Sequence, residues 1–247
     1  MEPTIDTDPA GPAVALTGVT KVYRRGSRPV TAVRDLTLRV PCGEFVTLMG
    51  PSGSGKTSVL NLVAGLDRPT RGDITVGGVA LAALDDDALT AMRRTRVGMV
   101  FQFFNLLPEL TALENVAFPL RIAGVRRRAA LDRAREALAQ VGLAARTDHR
   151  PDELSGGEMQ RTAIARALVI EPALVLADEP TGNLDSHAGD EILALLAQCN
   201  RERGVTILLV THSEHAARYG TRVVTLQDGT IARDDAVLRS LRSGERS

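Results

Sequence analysis

The feature that most limits what this chain can become is an eight-residue run, Gly50-Pro51-Ser52-Gly53-Ser54-Gly55-Lys56-Thr57. It follows a short apolar run at 45–49, read as a buried strand. It precedes a predicted helix at 57–66, stopped by Asp67-Arg68-Pro69. The spacing G-x-x-x-x-G-K-[ST] between strand and helix is that of a phosphate-binding loop. Glycines let the backbone bend tightly and approach phosphates without a Cβ in the way. Successive N–H groups then converge into an anion nest, and the following helix adds its N-terminal dipole. Lys56 supplies a compact cation to the outer phosphates, the Thr57 hydroxyl is a ligand for Mg²⁺, and Ser58 carries the loop into the helix. This run predicts a nucleoside triphosphate. By itself it does not separate ATP from GTP, or a kinase from a motor.

The rest of the chain sets the loop in an alternating pattern. Residues 13–23 and 30–40 alternate apolar and polar side chains, as half-buried strands do, and 41–44 turn the chain. A strand and turn are expected at 73–79, a helix at 85–96 and a short strand at 98–102. One helical section runs from 111 to 142, with strong helix formers at 126–138. A helix at 154–170 starts at a glycine pair. The run 173–177 is wholly apolar, typical of a central parallel strand. A helix at 186–200, a buried strand at 205–211 and a hairpin of 223–227 with 230–232 about Asp228-Gly229 complete the reading. Such alternation predicts an α/β fold with a mainly parallel sheet. Residues 1–12 read as a flexible leader and 236–247 as a polar tail.

Composition narrows the function classes. Thirty Lys and Arg balance thirty Asp and Glu, so the basic excess of a dedicated nucleic-acid binder is missing. Arg126-Arg127-Arg128 reads as a solvated helix face. Cys42 and Cys199 stand far apart without CxxC spacing, which argues for free thiols over a zinc site or disulfide. No stretch approaches the ~18 apolar residues of a membrane span, and the acidic, Pro-rich start lacks the features of a signal peptide. The chain is expected to stay inside the cell and to act at a membrane only through another chain.

Two further segments carry chemistry. The apolar run 174–177 ends in Asp178-Glu179, and ligands in open α/β sheets gather at such strand ends. Asp178 is suited to hold Mg²⁺, and Glu179, one residue on, to polarise an attacking water as general base. His212 follows the strand at 205–211 and is placed to hold a γ-phosphate and orient that water. His149, His187 and His215 lack such company and are read as surface residues.

Leu154-Ser155-Gly156-Gly157-Glu158-Met159-Gln160-Arg161 is similar to the LSGGQ signature of ABC-type ATPases. Before a helix, the Ser155 hydroxyl and the Gly156 and Gly157 amides make a second, weaker phosphate cradle. The bland alternative is an N-capped helix start. Other landmarks follow in the order of that family, across nearly all of 14–232. Gln102 matches the glutamine that helps ligate Mg²⁺ and links to the transmembrane partner. Asn183-Leu184-Asp185 looks like the D-loop, and His212 matches the switch histidine. Tyr23 looks like the aromatic residue that stacks on adenine, with a core or surface tyrosine as the alternative. The segments 100–108 and 181–186 resemble the ATPases of lipoprotein-release, macrolide-export and cell-division ABC systems. Glu158 departs from the general signature glutamine, as it often does in that branch.

The resemblance implies a nucleotide-binding domain at 13–235 of the P-loop, ABC ATPase type. Its parallel core sheet carries an antiparallel β subdomain and a helical subdomain at about 103–165. It implies ATP and Mg²⁺ as cofactors, a head-to-tail homodimer with two ATPs sandwiched between copies, and transmembrane permease subunits as partners. The chain would lie peripherally on the cytoplasmic face of the cell membrane. The rival is a soluble ABC-type ATPase acting on nucleic acid or ribosomes. Such relatives usually carry two cassettes or a long inserted coiled coil, and neither is present. No nucleic-acid partner is expected.

Overall fold

The computed structural model describes residues 11–25 and 28–237. Most of the expected leader (1–10) and of the expected tail (238–247) lies outside the described residues. Two sheets organise the chain. The first is antiparallel, in the order β2-β1-β4-β5, from β1 (Val14–Arg25), β2 (Arg28–Val40), β4 (Arg71–Val76) and β5 (Val79–Ala80). The second has the order β10-β9-β3-β8-β7-β6. Its strands are β3 (Phe45–Met49), β6 (Val97–Phe101), β7 (Leu174–Asp178), β8 (Thr206–Thr211), β9 (Arg222–Gln227) and β10 (Thr230–Ala236). β9, β3, β8, β7 and β6 run parallel, and only β10 is antiparallel to its neighbour.

The apolar runs predicted as central strands are central because both their faces are covered. Along a strand successive side chains point to opposite faces. Phe45, Val175, Ala177, Ile207 and Leu209 therefore belong to one buried cluster, and Val46, Leu48, Leu174, Leu176, Leu208 and Val210 to the other. The first cluster packs on α3 (Ala112–Ile122), α4 (Arg127–Gln140), α5 (Gly156–Leu168) and α6 (Ser186–Arg203). The second packs on α1 (Lys56–Val63), α2 (Asp86–Arg96) and the antiparallel sheet. α7 (Glu214–Ala217) is a single turn after β8.

Several expected bounds shift for identifiable reasons. The helical section expected as one piece at 111–142 is two helices. The chain turns at 123–126, where Arg126 is extended at φ −56°, ψ 139°. The helix expected from 154 begins at Gly156, because Leu154 and Ser155 are extended and Ser155 caps it. The helix expected at 57–66 starts one residue earlier and closes at Val63. The last hairpin runs on to Ala236, where Arg222 clamps Asp234 through two hydrogen bonds of 2.6 and 2.7 Å.

Strand register positions the site. Phe101 lies beside Asp178, Asp178 beside Val210, and Met49 beside Thr211. All four strands point the same way, so the residues that follow them leave the sheet at one edge. Those residues are Gln102, Glu179, His212 and Gly50. This is the edge where open α/β folds bind ligands.

Candidate nucleotide site

A cleft of about 990 Å³ opens at this edge. Pro51, Ser52, Gly53, Gly55, Lys56, Thr57 and Ser58 form its floor. Gln102, Glu179 and His212 line it from the other strand ends, and Tyr23 from β1. Gly50 and Ser54 belong to the loop without lining the cleft. Asp178 stands behind Thr57, whose Oγ1 donates to its Oδ1 at 3.5 Å. Leu154, Ser155, Gly156, Gly157, Glu158 and Asp185 are not among the residues lining this cleft.

The loop is held in shape before any ligand arrives. Gly55 has φ +101°, and a Cβ there would sit 2.2 Å from the Ala32 carbonyl oxygen of β2. Only glycine allows that backbone and that approach. Lys56 is 7% exposed, and its ammonium donates to the Gly50 and Pro51 carbonyls at 2.8 and 2.9 Å. A buried cation with only neutral acceptors is a ready seat for an anion. The Ser54 hydroxyl is buried without a partner. The donor set nearby suits Mg²⁺, which prefers oxygen ligands: the Thr57 hydroxyl, the Asp178 carboxylate and the Gln102 amide oxygen. Burial and the neighbouring Glu179 charge raise the Asp178 pKa, while the Thr57 hydrogen bond and Lys56 oppose the rise. A bound cation would relieve both penalties.

Glu179 and His212 form a unit. Glu179 has φ +46°, a left-handed backbone that costs on the order of 1–3 kcal/mol in a non-glycine residue. Its amide donates to the Val210 carbonyl at 2.9 Å. One carboxylate oxygen accepts from Thr211 Oγ1 at 3.2 Å, and the other lies 2.8 Å from His212 Nδ1. Gln102 is tied back in turn. Its amide donates to Asn183 Oδ1 at 3.2 Å, and Asn183 donates to the Gln102 carbonyl at 3.0 Å. A Cβ on Gly182, just before the D-loop, would meet the Gln102 side chain at 2.7 Å, so a larger residue there would displace that side chain.

The signature segment is built differently. Ser155 is exposed and caps α5. Its hydroxyl accepts from the Glu158 amide at 3.3 Å, and the Glu158 carboxylate accepts from the Ser155 amide at 2.8 Å. This is a reciprocal capping box. The Ser155 amide, with Arg146 Nε at 2.8 Å, lowers the Glu158 pKa against a burial penalty. The capped-helix reading is therefore correct as local structure. It leaves the first helical amides, Gly156 and Gly157, without helical acceptors. Asp185 caps α6 likewise by accepting from the Ala188 amide at 2.9 Å. It lines a second cleft, shared with Glu179 and His212.

Sequence reasoning missed several residues. Arg24, Val30 and Ala32 complete the cleft beside Tyr23. Gln160, fully buried on α5, donates to the carbonyls of Phe101 (3.3 Å) and Pro180 (2.6 Å), while its Oε1 has no partner. Those two carbonyls adjoin Gln102 and Glu179. Arg166, two turns on, holds the Phe104 and Asn105 carbonyls. A glutamine on a helix that buries mainly Ala, Ile164 and Leu168 is the only signal the sequence offered for Gln160. Of the histidines read as surface residues, His187 and His215 are exposed, His215 pairing with Asp190 at 2.5 Å. His149 is half-buried, and its carbonyl accepts from the Ala112 amide that opens α3.

Comparison with known proteins agrees with this geometry. Residues 33–182 match the family described as ABC transporter. The chain is 52% identical to a lipoprotein-releasing system ATP-binding protein LolD of Anaeromyxobacter dehalogenans, over 94% of this chain and 97% of that one. It is 48% identical to the macrolide export ATP-binding/permease protein MacB of Rhodopirellula baltica, over 90% of this chain but 33% of that longer protein. Among solved structures, the ATP-binding cassette MJ0796 superposes with a TM-score of 0.84 at 44% identity, over 91% of this chain and 99% of that one. That structure is a dimer in a post-hydrolysis state bound to ADP and Pi. The chain belongs to the ABC transporter family, as its ATP-binding and ATP-hydrolysing cassette.

Proposed function

We propose that two copies of this chain close head to tail around two ATP molecules and that this cycle drives a membrane permease. The observation that carries the proposal is the division of phosphate-binding groups. Lys56, Glu179 and His212 share one cleft, while the exposed Ser155, the half-buried Gly156 and the buried Gly157, whose amides have no helical acceptor, lie outside its lining. Each region presents donors suited to a terminal phosphate, and a second copy brings them together. The dimeric form of MJ0796 supports this assembly.

In this reading the loop amides and Lys56 bind the phosphates, and Tyr23 stacks on adenine. Thr57, Gln102 and Asp178 would hold Mg²⁺, which supplies charge neutralisation for the departing phosphate. Glu179 accepts a proton from the attacking water, converting ATP and water to ADP and phosphate. His212 holds the Glu179 carboxylate through Nδ1 and faces the γ-phosphate position from β8. Asp185 belongs to the facing surface between copies. Loss of the terminal phosphate removes the bridge to Ser155 of the second copy, and the halves part.

A permease partner is supported by a relative whose name joins ATP-binding and permease functions in one chain. It is supported also by exposed apolar side chains on the segment after Gln102 and on α3. Phe103 is 72% exposed, and Leu107, Phe118 and Ile122 are also open to solvent. The helical region at about 103–165 would carry motion from Gln102 to that partner. The chain would then lie peripherally on the cytoplasmic face of the membrane. Affinity purification of the full chain from its own cells is the test. A co-purifying multi-span membrane protein is expected, whereas stoichiometric RNA or DNA in its place would contradict the proposal.

A further inference from the structure

At the Tyr23 end of the cleft three side chains lock together. Lys21 and Tyr23 are two residues apart on β1 and so share a face. The Lys21 ammonium sits over the Tyr23 ring, 4.9 Å from its centre, within cation–π range. Asp67, in the turn after α1, grips both. Its Oδ2 accepts from the Tyr23 hydroxyl at 2.9 Å, and its Oδ1 accepts from Lys21 Nζ at 2.5 Å. The Arg68 amide donates to Oδ1 at 2.7 Å, and Lys21 donates also to the Arg68 carbonyl at 2.8 Å. The turn is stitched to β1 twice more, by Thr70 N to the Thr20 carbonyl and by Val22 N to Thr70 Oγ1. Lys21 and Asp67 are 13% and 29% exposed, so the cluster is largely sheltered from water. Burial would raise the Asp67 pKa, but the Lys21, Tyr23 and Arg68 hydrogen bonds more than offset it and keep the carboxylate charged.

One ring face is thus occupied by a cation and the hydroxyl end is fixed. The ring still lines the cleft beside Val30 and Ala32. We infer that Asp67 is a positioning residue for the nucleotide base, fixing Tyr23 so that its remaining face is presented as the stacking platform. The inference rests on the reading of this cleft as the ATP site. Asp67 touches no phosphate-binding residue, so its effect falls on base affinity and spares chemistry on bound nucleotide.

The test is equilibrium binding of Mg-ATP and of magnesium tripolyphosphate, which has no base, to the full chain and four variants. Y23A is expected to lose about tenfold in ATP affinity, in the range of a base–aromatic stack, with tripolyphosphate binding unchanged. D67A and Y23F, which break the same hydrogen bond from either side, should each lose severalfold on ATP alone. D67N, whose amide oxygen still accepts from the hydroxyl, should recover most of the affinity. D67A and D67N should keep the wild-type turnover at saturating ATP. Wild-type ATP affinity in both D67A and Y23F, with Y23A impaired, would overturn the role of Asp67 and leave the base site standing. An unaffected Y23A would instead remove Tyr23 from the base site. Equal loss of both ligands in D67A would mean a general disturbance of the fold and also overturn the inference.

Discussion

The phosphate loop and the signature segment are both glycine-rich turns that open a helix, yet they are finished to different degrees. Around the loop a buried ammonium, a strained glutamate and a histidine converge on one cleft. Around the signature, Ser155 and Glu158 satisfy one another in a capping box and line no shared cleft with Lys56. The first is a site with stored electrostatic and backbone cost, on the order of 1–3 kcal/mol at Glu179 alone. The second is a stable helix end with two amides to spare. The difference supports the proposal that affinity for the nucleotide resides in one chain, while response to its terminal phosphate requires two.

The largest expected effect lies on the loop side. K56A removes the only cation that the described residues place in the floor of the cleft. Both Mg-ATP affinity and turnover should collapse, with kcat/KM falling on the order of 10²–10³-fold as when a preorganised charge-stabilising donor is lost. Near-normal turnover would break the contrast, because the loop would then be no more committed than the signature. A smaller effect is expected where the two regions are joined. Gln160 sits on the signature helix but bonds to carbonyls adjoining Gln102 and Glu179. Q160M keeps the volume and removes both bonds at a stability cost of about 1–3 kcal/mol. Steady-state kinetics should show kcat reduced severalfold with KM for ATP within about twofold, since a lost transition-state alignment lowers kcat without weakening ground-state binding. Unchanged kcat would mean that the signature helix does not steer the catalytic edge of its own chain.

Much of this was readable from the chain. The strand–loop–helix around Lys56 declared itself because glycine spacing and an apolar run leave few alternatives. Asp178-Glu179 and His212 were legible because each follows a mostly apolar, buried strand, and parallel register then forces such ends to one edge. The break between α3 and α4 had a local signal that the long run of helix formers at 126–138 outweighed: Gly124, at φ +85°, stands just past the end of α3, where glycine commonly stops a helix. Gln160, Asp67 and Arg166 were hidden for a deeper reason. Each acts through a partner 20 to 62 residues away, and no local pattern encodes that pairing. The same limit applies to Ser155, whose cap is local and visible, whereas its phosphate-facing role depends on a second molecule.

The most direct measurement is the structure of the Mg-ATP complex of E179Q, a variant that should bind ATP, fail to hydrolyse it, and accumulate as a closed dimer. The account predicts Ser155 Oγ and the Gly157 amide of the second copy within about 2.7–3.2 Å of the γ-phosphate, opposite Lys56 of the first. A γ-phosphate contacted only by residues of its own chain, in monomer and dimer alike, would contradict it.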